Sequence, residues 1–217
     1  MLPFTHNSDG PQRNAVPQEG RVSILASDQA LVADPALASR TIAVPPATDM
    51  PNWSQPGGNE TNSPPNAGGS ATLQQAWRAN LGAGSNNRTR ISAPPVIANG
   101  KLYFLDADHR VHAVRARDGS RLWTKNLRPE DSRDRVARGG GVAAAGGRVF
   151  VTTGFGFVVA LDGQSGDEVW RMTADAPFQS APTVASGRVY AITNDSELLA
   201  IDANNGNVTW NFQAIAE

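Results

Sequence analysis

An eleven-residue pattern occurs three times in this chain of 217 residues. Every copy begins with alanine, carries glycine at its seventh position and ends with tryptophan. The copies read A-V-R-A-R-D-G-S-R-L-W from Ala113, A-L-D-G-Q-S-G-D-E-V-W from Ala160 and A-I-D-A-N-N-G-N-V-T-W from Ala200. Their first residues are 47 and 40 residues apart. A period of this length indicates a repeat fold, in which one supersecondary unit is stacked several times.

The residues around each copy favour β-strands. From Ile91 onward, segments of four to six residues rich in β-branched and aromatic side chains alternate with turn signals such as Asn-Gly, Gly-Gly and Ser-Gly. Four such segments per repeat predict four antiparallel strands, which is the plan of one propeller blade. We therefore predict an all-β fold, a β-propeller of four-stranded antiparallel blades, with repeats at about 91–127, 138–174 and 179–214.

The pattern itself indicates structural roles. An Asp at its third position can accept hydrogen bonds from the next backbone N–H groups, and the Gly can adopt the positive φ that closes the turn. The Trp ring is expected to cover the joint with the next blade, burying roughly 150–250 Å². Repeat one has Arg115 in place of the Asp, so we expect Asp118 to hold its turn. The residues assigned to the repeat motif are Asp162, Gly166, Trp170, Asp202, Gly206, Trp210, Gly119, Trp123 and Trp77.

The first 70 residues differ in composition from the rest. Ten of the fifteen prolines lie at or before Pro65, and a polar Pro/Gly-rich composition is typical of linkers. We expect an irregular tail over 1–70 with a short ordered island near 21–37, followed by a partial propeller over 71–217. Trp77 stands 46 residues before Trp123, at the repeat spacing, so residues 73–81 are predicted to form an outer strand.

The overall composition argues against several function classes. The 19 basic and 20 acidic residues are interspersed and give a net charge of −1, whereas a nucleic-acid-binding surface needs clustered Lys and Arg. We therefore expect no nucleic-acid partner. The sequence contains no cysteine, which excludes disulfides, thiolate catalysis and thiolate metal sites.

No catalytic or metal-binding set can be assembled from the spacing of the polar residues. His109 and His112, three residues apart on a strand, would point to opposite faces and form no metal pair. Gly139, Gly140 and Gly141 lead into a strand, whereas a phosphate-binding glycine loop opens a helix. A small-residue inner strand at the propeller axis is favoured instead. We expect a protein that is not an enzyme, with no catalytic residues, cofactor or metal.

Two loops are candidates for contact with a partner. Residues 128–138 (R-P-E-D-S-R-D-R-V-A-R) form a charged insert, which is either a solvated loop or a docking loop that uses Arg133 and Arg135. The segment Gly154–Phe157 places two aromatic side chains at a hairpin tip. They either pack onto a neighbouring blade or contact a partner.

The copy from Ala160 to Trp170 fits A-x-D-x-x-[ST]-G-x-x-x-W throughout and resembles the PQQ-like β-propeller repeat family. The copy from Ala200 departs at Asn205, and the copy from Ala113 departs at Arg115 and Asp118. Residues 53–59 (W-S-Q-P-G-G-N) and the openings S-A-P-P-V from Ser92 and S-A-P-T-V from Ser180 are similar to the lipoprotein members that assist outer-membrane β-barrel assembly.

This resemblance implies an eight-bladed periplasmic propeller, tethered by a lipid to the outer membrane. It would be a non-catalytic scaffold that binds the barrel-inserting subunit of the assembly complex through inter-blade loops. Three blades are too few to close a propeller, so we expect the chain to be an N-terminal fragment. The sequence has neither the lipid-bearing Cys nor a signal peptide, so we expect it to begin downstream of them. The implied contact residues are Phe178 and Gln179 at one blade junction and Ile215 and Glu217 at the next.

Two alternatives remain open at this point. The same propeller serves quinoprotein dehydrogenases, which bind pyrroloquinoline quinone and Ca²⁺ at the axis, and ligand-binding periplasmic propellers. A quinone and Ca²⁺ site needs converging carboxylates, and the expected inner strands supply none. With unpaired edges on its first and last blades, the isolated chain is expected to aggregate or dimerise.

Overall fold

The computed structural model describes residues 34–35, 40–87, 89–130 and 137–214. The chain divides into two compact units, Met1–Ala43 and Val44–Glu217. The described residues of the second unit form twelve strands in three four-stranded antiparallel sheets, which confirms the predicted fold class. The island expected near 21–37 lies outside the described residues, apart from Asp34 and Pro35.

Each sheet is one blade, and its strands follow one another from the inner to the outer edge. Blade 1 consists of β1 (Val96–Ala98), β2 (Lys101–Leu105), β3 (Arg110–Arg115) and β4 (Arg121–Asn126). Blade 2 consists of β5 (Gly140–Ala145), β6 (Arg148–Thr153), β7 (Phe157–Asp162) and β8 (Glu168–Thr173). Blade 3 consists of β9 (Thr183–Ala185), β10 (Arg188–Ile192), β11 (Glu197–Asp202) and β12 (Val208–Gln213).

The first hairpin of every blade is closed by two residues with positive φ. These residues are Asn99 and Gly100 in blade 1, Gly146 and Gly147 in blade 2, and Ser186 and Gly187 in blade 3. Two consecutive positive φ angles define the type I′ turn, whose twist matches that of the flanking antiparallel strands. The Asn-Gly, Gly-Gly and Ser-Gly dipeptides therefore fix both the position and the register of these hairpins.

The hydrophobic core lies between the blades. Val142, Val149 and Val151 of blade 2 pack with residues of blade 1 in one buried cluster. Ala143, Phe150 and residues of blade 3 form a second cluster. Because successive side chains of a strand point to opposite faces, blade 2 contributes to both clusters and is covered on both sides.

The predicted outer strand over 73–81 is not formed. The segment is irregular, although Trp77 contacts blade 1. A strand needs the backbone groups of a neighbouring strand as hydrogen-bond partners, and the described residues offer this segment none. The described part of the chain also contains no helix with the length and apolarity needed to cross a membrane.

Residues 44–70, which the sequence assigned to the tail, contact the blades at several points. Trp53 forms an antiparallel bridge with Ile97 of blade 1. Ser54 accepts a hydrogen bond from the N–H of Ala144 in blade 2 at 2.7 Å. This part of the chain belongs to the same compact unit as the propeller.

Candidate functional site

The tryptophans of the repeat motif form the joints between blades. The indole N–H groups of Trp77, Trp123 and Trp170 each donate to a backbone carbonyl in the turn of the blade that follows. The donor and acceptor pairs are Trp77 to Ala116 at 2.8 Å, Trp123 to Gly163 at 3.3 Å and Trp170 to Ala203 at 3.0 Å. The three carbonyls occupy the same position of the eleven-residue pattern.

The glycine of the pattern lies directly beneath each indole ring. A Cβ added at Gly119, Gly166 or Gly206 would lie 2.7 Å from a ring atom of Trp77, Trp123 or Trp170, respectively. The φ angles of these glycines are 70°, 80° and 79°. Both the close approach of the ring and the backbone conformation therefore require glycine.

The aspartate side chains of the pattern stabilise the turns by accepting hydrogen bonds from backbone N–H groups. Asp162 Oδ1 accepts the N–H groups of Ser165 and Gln164, both at 2.8 Å, and these bonds lower the pKa of the carboxyl. Asp202 makes the corresponding bonds with Asn204 and Asn205. In blade 1, Asp118 Oδ1 accepts the N–H of Ser120 at 2.9 Å, beside the Arg115 that replaces the usual Asp.

Side chains of the second strand of blades 1 and 2 donate further hydrogen bonds across the joints. Lys101 and Tyr103 donate to the carbonyl of Gly163, each at 3.0 Å, and Arg148 donates to that of Ala203 at 2.7 Å. Blade 3 has Arg188, Tyr190 and Trp210 at the equivalent positions. Trp210 is 43% exposed, against 8% for Trp170.

The loop face is formed by the β2–β3, β6–β7 and β10–β11 turns together with the connections between blades. Phe178 lies in the second connection, is fully buried and bridges Thr193 of blade 3. The ring that the sequence assigned to partner contact is therefore part of the core, because the connection needs an apolar anchor between blades 2 and 3. Gln179 and Asp175 beside it are exposed. Arg133, Arg135, Ile215 and Glu217 lie outside the described residues.

The aromatic hairpin tip packs onto the neighbouring blade. The ring of Phe155 lies 4.7 Å from the imidazole of His109, which has a φ of 58° in the turn of blade 1. Phe157 is buried, and the guanidinium of Arg171 lies 4.1 Å from its ring centroid. Of the two interpretations of this tip, the geometry favours packing between blades.

A buried polar network lies in blade 1. His112 is 2.9 Å from Asp106 through Nε2 and 3.1 Å from Thr124 Oγ1 through Nδ1. Burial alone would raise the pKa of Asp106, but hydrogen bonds from His112 and from backbone N–H groups, including that of Ala83, lower it to about 2. The network fastens the segment around Ala83 to the blade, and Asp106 and His112 at its centre are each only 3% exposed.

The axial edge of the blades is covered by residues of the N-terminal part. We call Trp53–Gln55 the strap. Its three consecutive residues pair with the inner-strand residues Ile97, Ala144 and Val184, one in each blade. Gln55 is 4% exposed. Its side-chain amide accepts from the N–H of Val184 at 2.8 Å and donates to the carbonyl of the same residue at 3.0 Å.

A cavity of about 330 Å³ lies at the opposite end of the blades from the loop face. It opens between the first hairpins of blades 2 and 3, and its lining includes Arg148, Ser186, Asn204 and Glu60. Such a volume is large enough for a small molecule.

The three four-stranded sheets, the Trp joints between them and the row of inner strands at the axis are the features of one class of protein. This class is the β-propeller built from PQQ-like repeats. A family model described as "Outer membrane protein assembly factor BamB" matches residues 14–139 and 107–217. The chain belongs to this family.

Individual relatives fall into two functional groups. Over 112 residues, 49% of this chain and 15% of the relative, the sequence is 33% identical to a quinohemoprotein alcohol dehydrogenase of Comamonas testosteroni. Over 116 residues, 52% of this chain and 29% of the relative, it is 28% identical to the outer membrane protein assembly factor BamB of Escherichia coli K12. The chain spans less than a third of the length of these relatives.

A solved structure supports the fold. The quinohemoprotein alcohol dehydrogenase ADHIIG from Pseudomonas putida HK5 superimposes with a TM-score of 0.64 at 22% identity. The superposition covers 81% of this chain and 30% of that one.

The residues present do not fit a quinone and Ca²⁺ site at the axis. The inner strands β1, β5 and β9 carry no carboxylate, and Ca²⁺ requires several oxygen ligands. Among the described residues, no group of three or more His, Asp or Glu side chains is placed to hold a metal. The axial N–H groups of Ile97, Ala144 and Val184 are bonded to the strap.

Proposed function

We propose that this chain is part of a non-catalytic scaffold in the machinery that assembles outer-membrane β-barrel proteins. Its loop face would contact the barrel-inserting subunit of that machinery. The observation that carries the proposal is the match of the BamB family along residues 14–217. The buried joints support it, because the residues shared by the three repeats are engaged in turn and blade contacts.

The connection between blades 2 and 3 is the contact segment we favour. Its anchor, Phe178, is buried and donates its backbone N–H to the carbonyl of Thr153 at 3.1 Å. Asp175 and Gln179 flank this anchor and face solvent. A loop that is fixed at its centre and exposed at its ends presents polar groups at low entropic cost, which favours binding.

On the same grounds we propose that the protein lies in the periplasm and is associated with the outer membrane through a lipid anchor. Fractionation of cells that express the full gene product tests this location. Recovery with the outer membrane is expected, and recovery in the cytosolic fraction would contradict the proposal.

Site-specific crosslinking tests the contact surface. A photo-reactive residue is introduced at Gln179 of the full gene product, and the matched control carries it at Gln164, an exposed glutamine at the opposite end of blade 2. We expect a crosslink to an outer-membrane assembly subunit from position 179 and none from position 164. Equal crosslinking from both, or none from position 179 in cells where the complex is intact, would refute the proposed surface.

A quinoprotein dehydrogenase is the second candidate, favoured by the 33% identity with the Comamonas testosteroni enzyme. The lack of carboxylates on the inner strands opposes it. Titration of the full gene product with pyrroloquinoline quinone and Ca²⁺, followed by visible absorbance, separates the two functions. Stoichiometric uptake with alcohol-dependent reduction would establish the enzyme.

A further inference from the structure

The strap contacts one equivalent residue in every blade. In the first hairpins, Ile97 lies opposite Leu102, Ala144 opposite Val149 and Val184 opposite Val189. Counted from the hairpin turn, these three inner-strand residues therefore occupy the same position. We call them the axial row. Their N–H groups point away from the second strand, toward the propeller axis.

Consecutive strap residues supply the acceptors for the axial row. The N–H of Ile97 donates to the carbonyl of Trp53 at 2.8 Å, and that of Ala144 donates to the carbonyl of Ser54 at 2.7 Å. The N–H of Val184 donates to the side-chain carbonyl of Gln55 at 2.8 Å. The bond from Trp53 N–H to the carbonyl of Ile97, also 2.8 Å, completes a two-way backbone pair.

The amide of Gln55 acts as a substitute for a peptide unit. It offers a donor and an acceptor side by side, and both are used by the backbone of Val184. Gln and Asn side chains alone combine an amide donor and an amide acceptor in one planar group, and Gln has the greater reach. Because this group is buried, loss of either bond would leave a polar atom unsatisfied.

Hydrogen bonds of the residues on either side fix the strap in position. Asn52 Oδ1 accepts the N–H of Asn99 at 2.9 Å. Gly58 donates to the carbonyl of Gln55 at 2.8 Å and accepts from Ser54 N–H at 3.1 Å. A Cβ at Gly58, whose φ is 95°, would lie 3.3 Å from the Trp53 ring, so the turn closes tightly over the indole.

We propose that the axial row is a binding site for an extended peptide with the order aromatic residue, small residue, Gln, and that this chain fills the site with its own strap. The peptide would bind along exposed strand edges, as in other cases of β-strand addition. Its backbone hydrogen bonds would provide affinity, and the side-chain amide of its Gln would provide specificity. The same peptide binds in trans once the strap is displaced. The inference does not depend on the proposed scaffold function.

A fluorescent peptide with the sequence of residues 52–59, N-W-S-Q-P-G-G-N, tests the site by fluorescence anisotropy. The protein is the full chain carrying Trp53→Pro and Gln55→Glu, which removes one strap donor and places a charge where a neutral amide is required. We expect it to bind the peptide at least tenfold more tightly than the unaltered chain, whose site is filled. A peptide with Glu in place of Gln should bind at least tenfold more weakly.

The control chain carries Gln74→Glu, which adds the same charge at an exposed residue of the N-terminal part. It should bind the peptide no better than the unaltered chain. Equal binding by all three chains, or equal binding of the Gln and Glu peptides, would overturn the proposal. If the double variant does not fold, trans binding is measured on the single variant Gln55→Met, and failure of this variant to bind would overturn it equally.

Amide hydrogen exchange gives a readout at the site itself. In Gln55→Met, which retains the length and apolar stem of the side chain, the Val184 amide should exchange at least tenfold faster. The amide of Val189, which belongs to the paired strand of the same hairpin, serves as the internal control. Unchanged protection of Val184 would show that Gln55 does not cover the axial row.

Discussion

Alanine at Gly166 should destabilise the joint between blades 1 and 2 far more than alanine at Gly147. The two glycines have nearly the same φ, 80° and 78°. A Cβ at Gly166 would lie 2.7 Å and 2.8 Å from two atoms of the Trp123 ring, whereas a Cβ at Gly147 would have no heavy atom within 4 Å. The second site therefore measures the backbone cost alone.

The expected magnitudes follow from these two contributions. Holding an L-residue at positive φ costs about 1–2 kcal/mol, and both variants have this cost. Forcing a side chain into a filled space costs typically about 1–3 kcal/mol more, because the indole must move away from the carbonyl of Gly163. We expect a loss of about 1–2 kcal/mol for Gly147→Ala and about 2–5 kcal/mol for Gly166→Ala.

Urea unfolding at 25 °C, followed by tryptophan fluorescence, measures both free energies of unfolding. A double-mutant cycle with Trp123→Leu isolates the contact, because a smaller side chain relieves the crowding. Gly166→Ala should cost less in the Trp123→Leu background than in the unaltered chain. If Gly166→Ala and Gly147→Ala lower the free energy of unfolding equally, within about 0.5 kcal/mol, the close contact between Gly166 and the Trp123 ring does not require glycine.

Three further predictions use pairs of equivalent residues or a pH profile. Trp170→Phe removes a buried N–H donor and should lower the free energy of unfolding by about 1–3 kcal/mol in urea titrations, whereas Trp210→Phe, at an exposed ring, should change it by less than about 0.5 kcal/mol. Tyr103→Phe removes a hydroxyl that bonds the next blade and should cost about 1 kcal/mol, while the same change at Tyr190 should be nearly neutral; equal effects would contradict the joint. Because the pKa of Asp106 is lowered to about 2, its contribution to stability is complete above about pH 4 and is lost as the pH falls toward 2. Asp106→Asn should flatten this part of the stability profile measured by thermal unfolding, and an unchanged profile would count against the buried network.

The loop face shows where sequence reasoning succeeds and where it fails. Gln179 is exposed, as a contact residue must be, but its neighbour Phe178 is buried between two blades. An aromatic residue in a connection has the same sequence pattern whether its ring faces solvent or the core. The prediction of an outer strand around Trp77 was wrong for a related reason. A strand forms only beside a neighbouring strand, and the local sequence does not show whether one is present.

The repeat, the hairpin turns and the joint residues were determined by the sequence alone, because each depends on contacts within one repeat or on a pattern copied three times. Positive φ at an Asn-Gly turn, or a Gly under a ring, is a local stereochemical requirement. Only the tertiary structure decided the role of residues 53–55. The amide of Gln55 and the backbone of Val184 are 129 residues apart, and they meet because three blades bring equivalent edges to one axis.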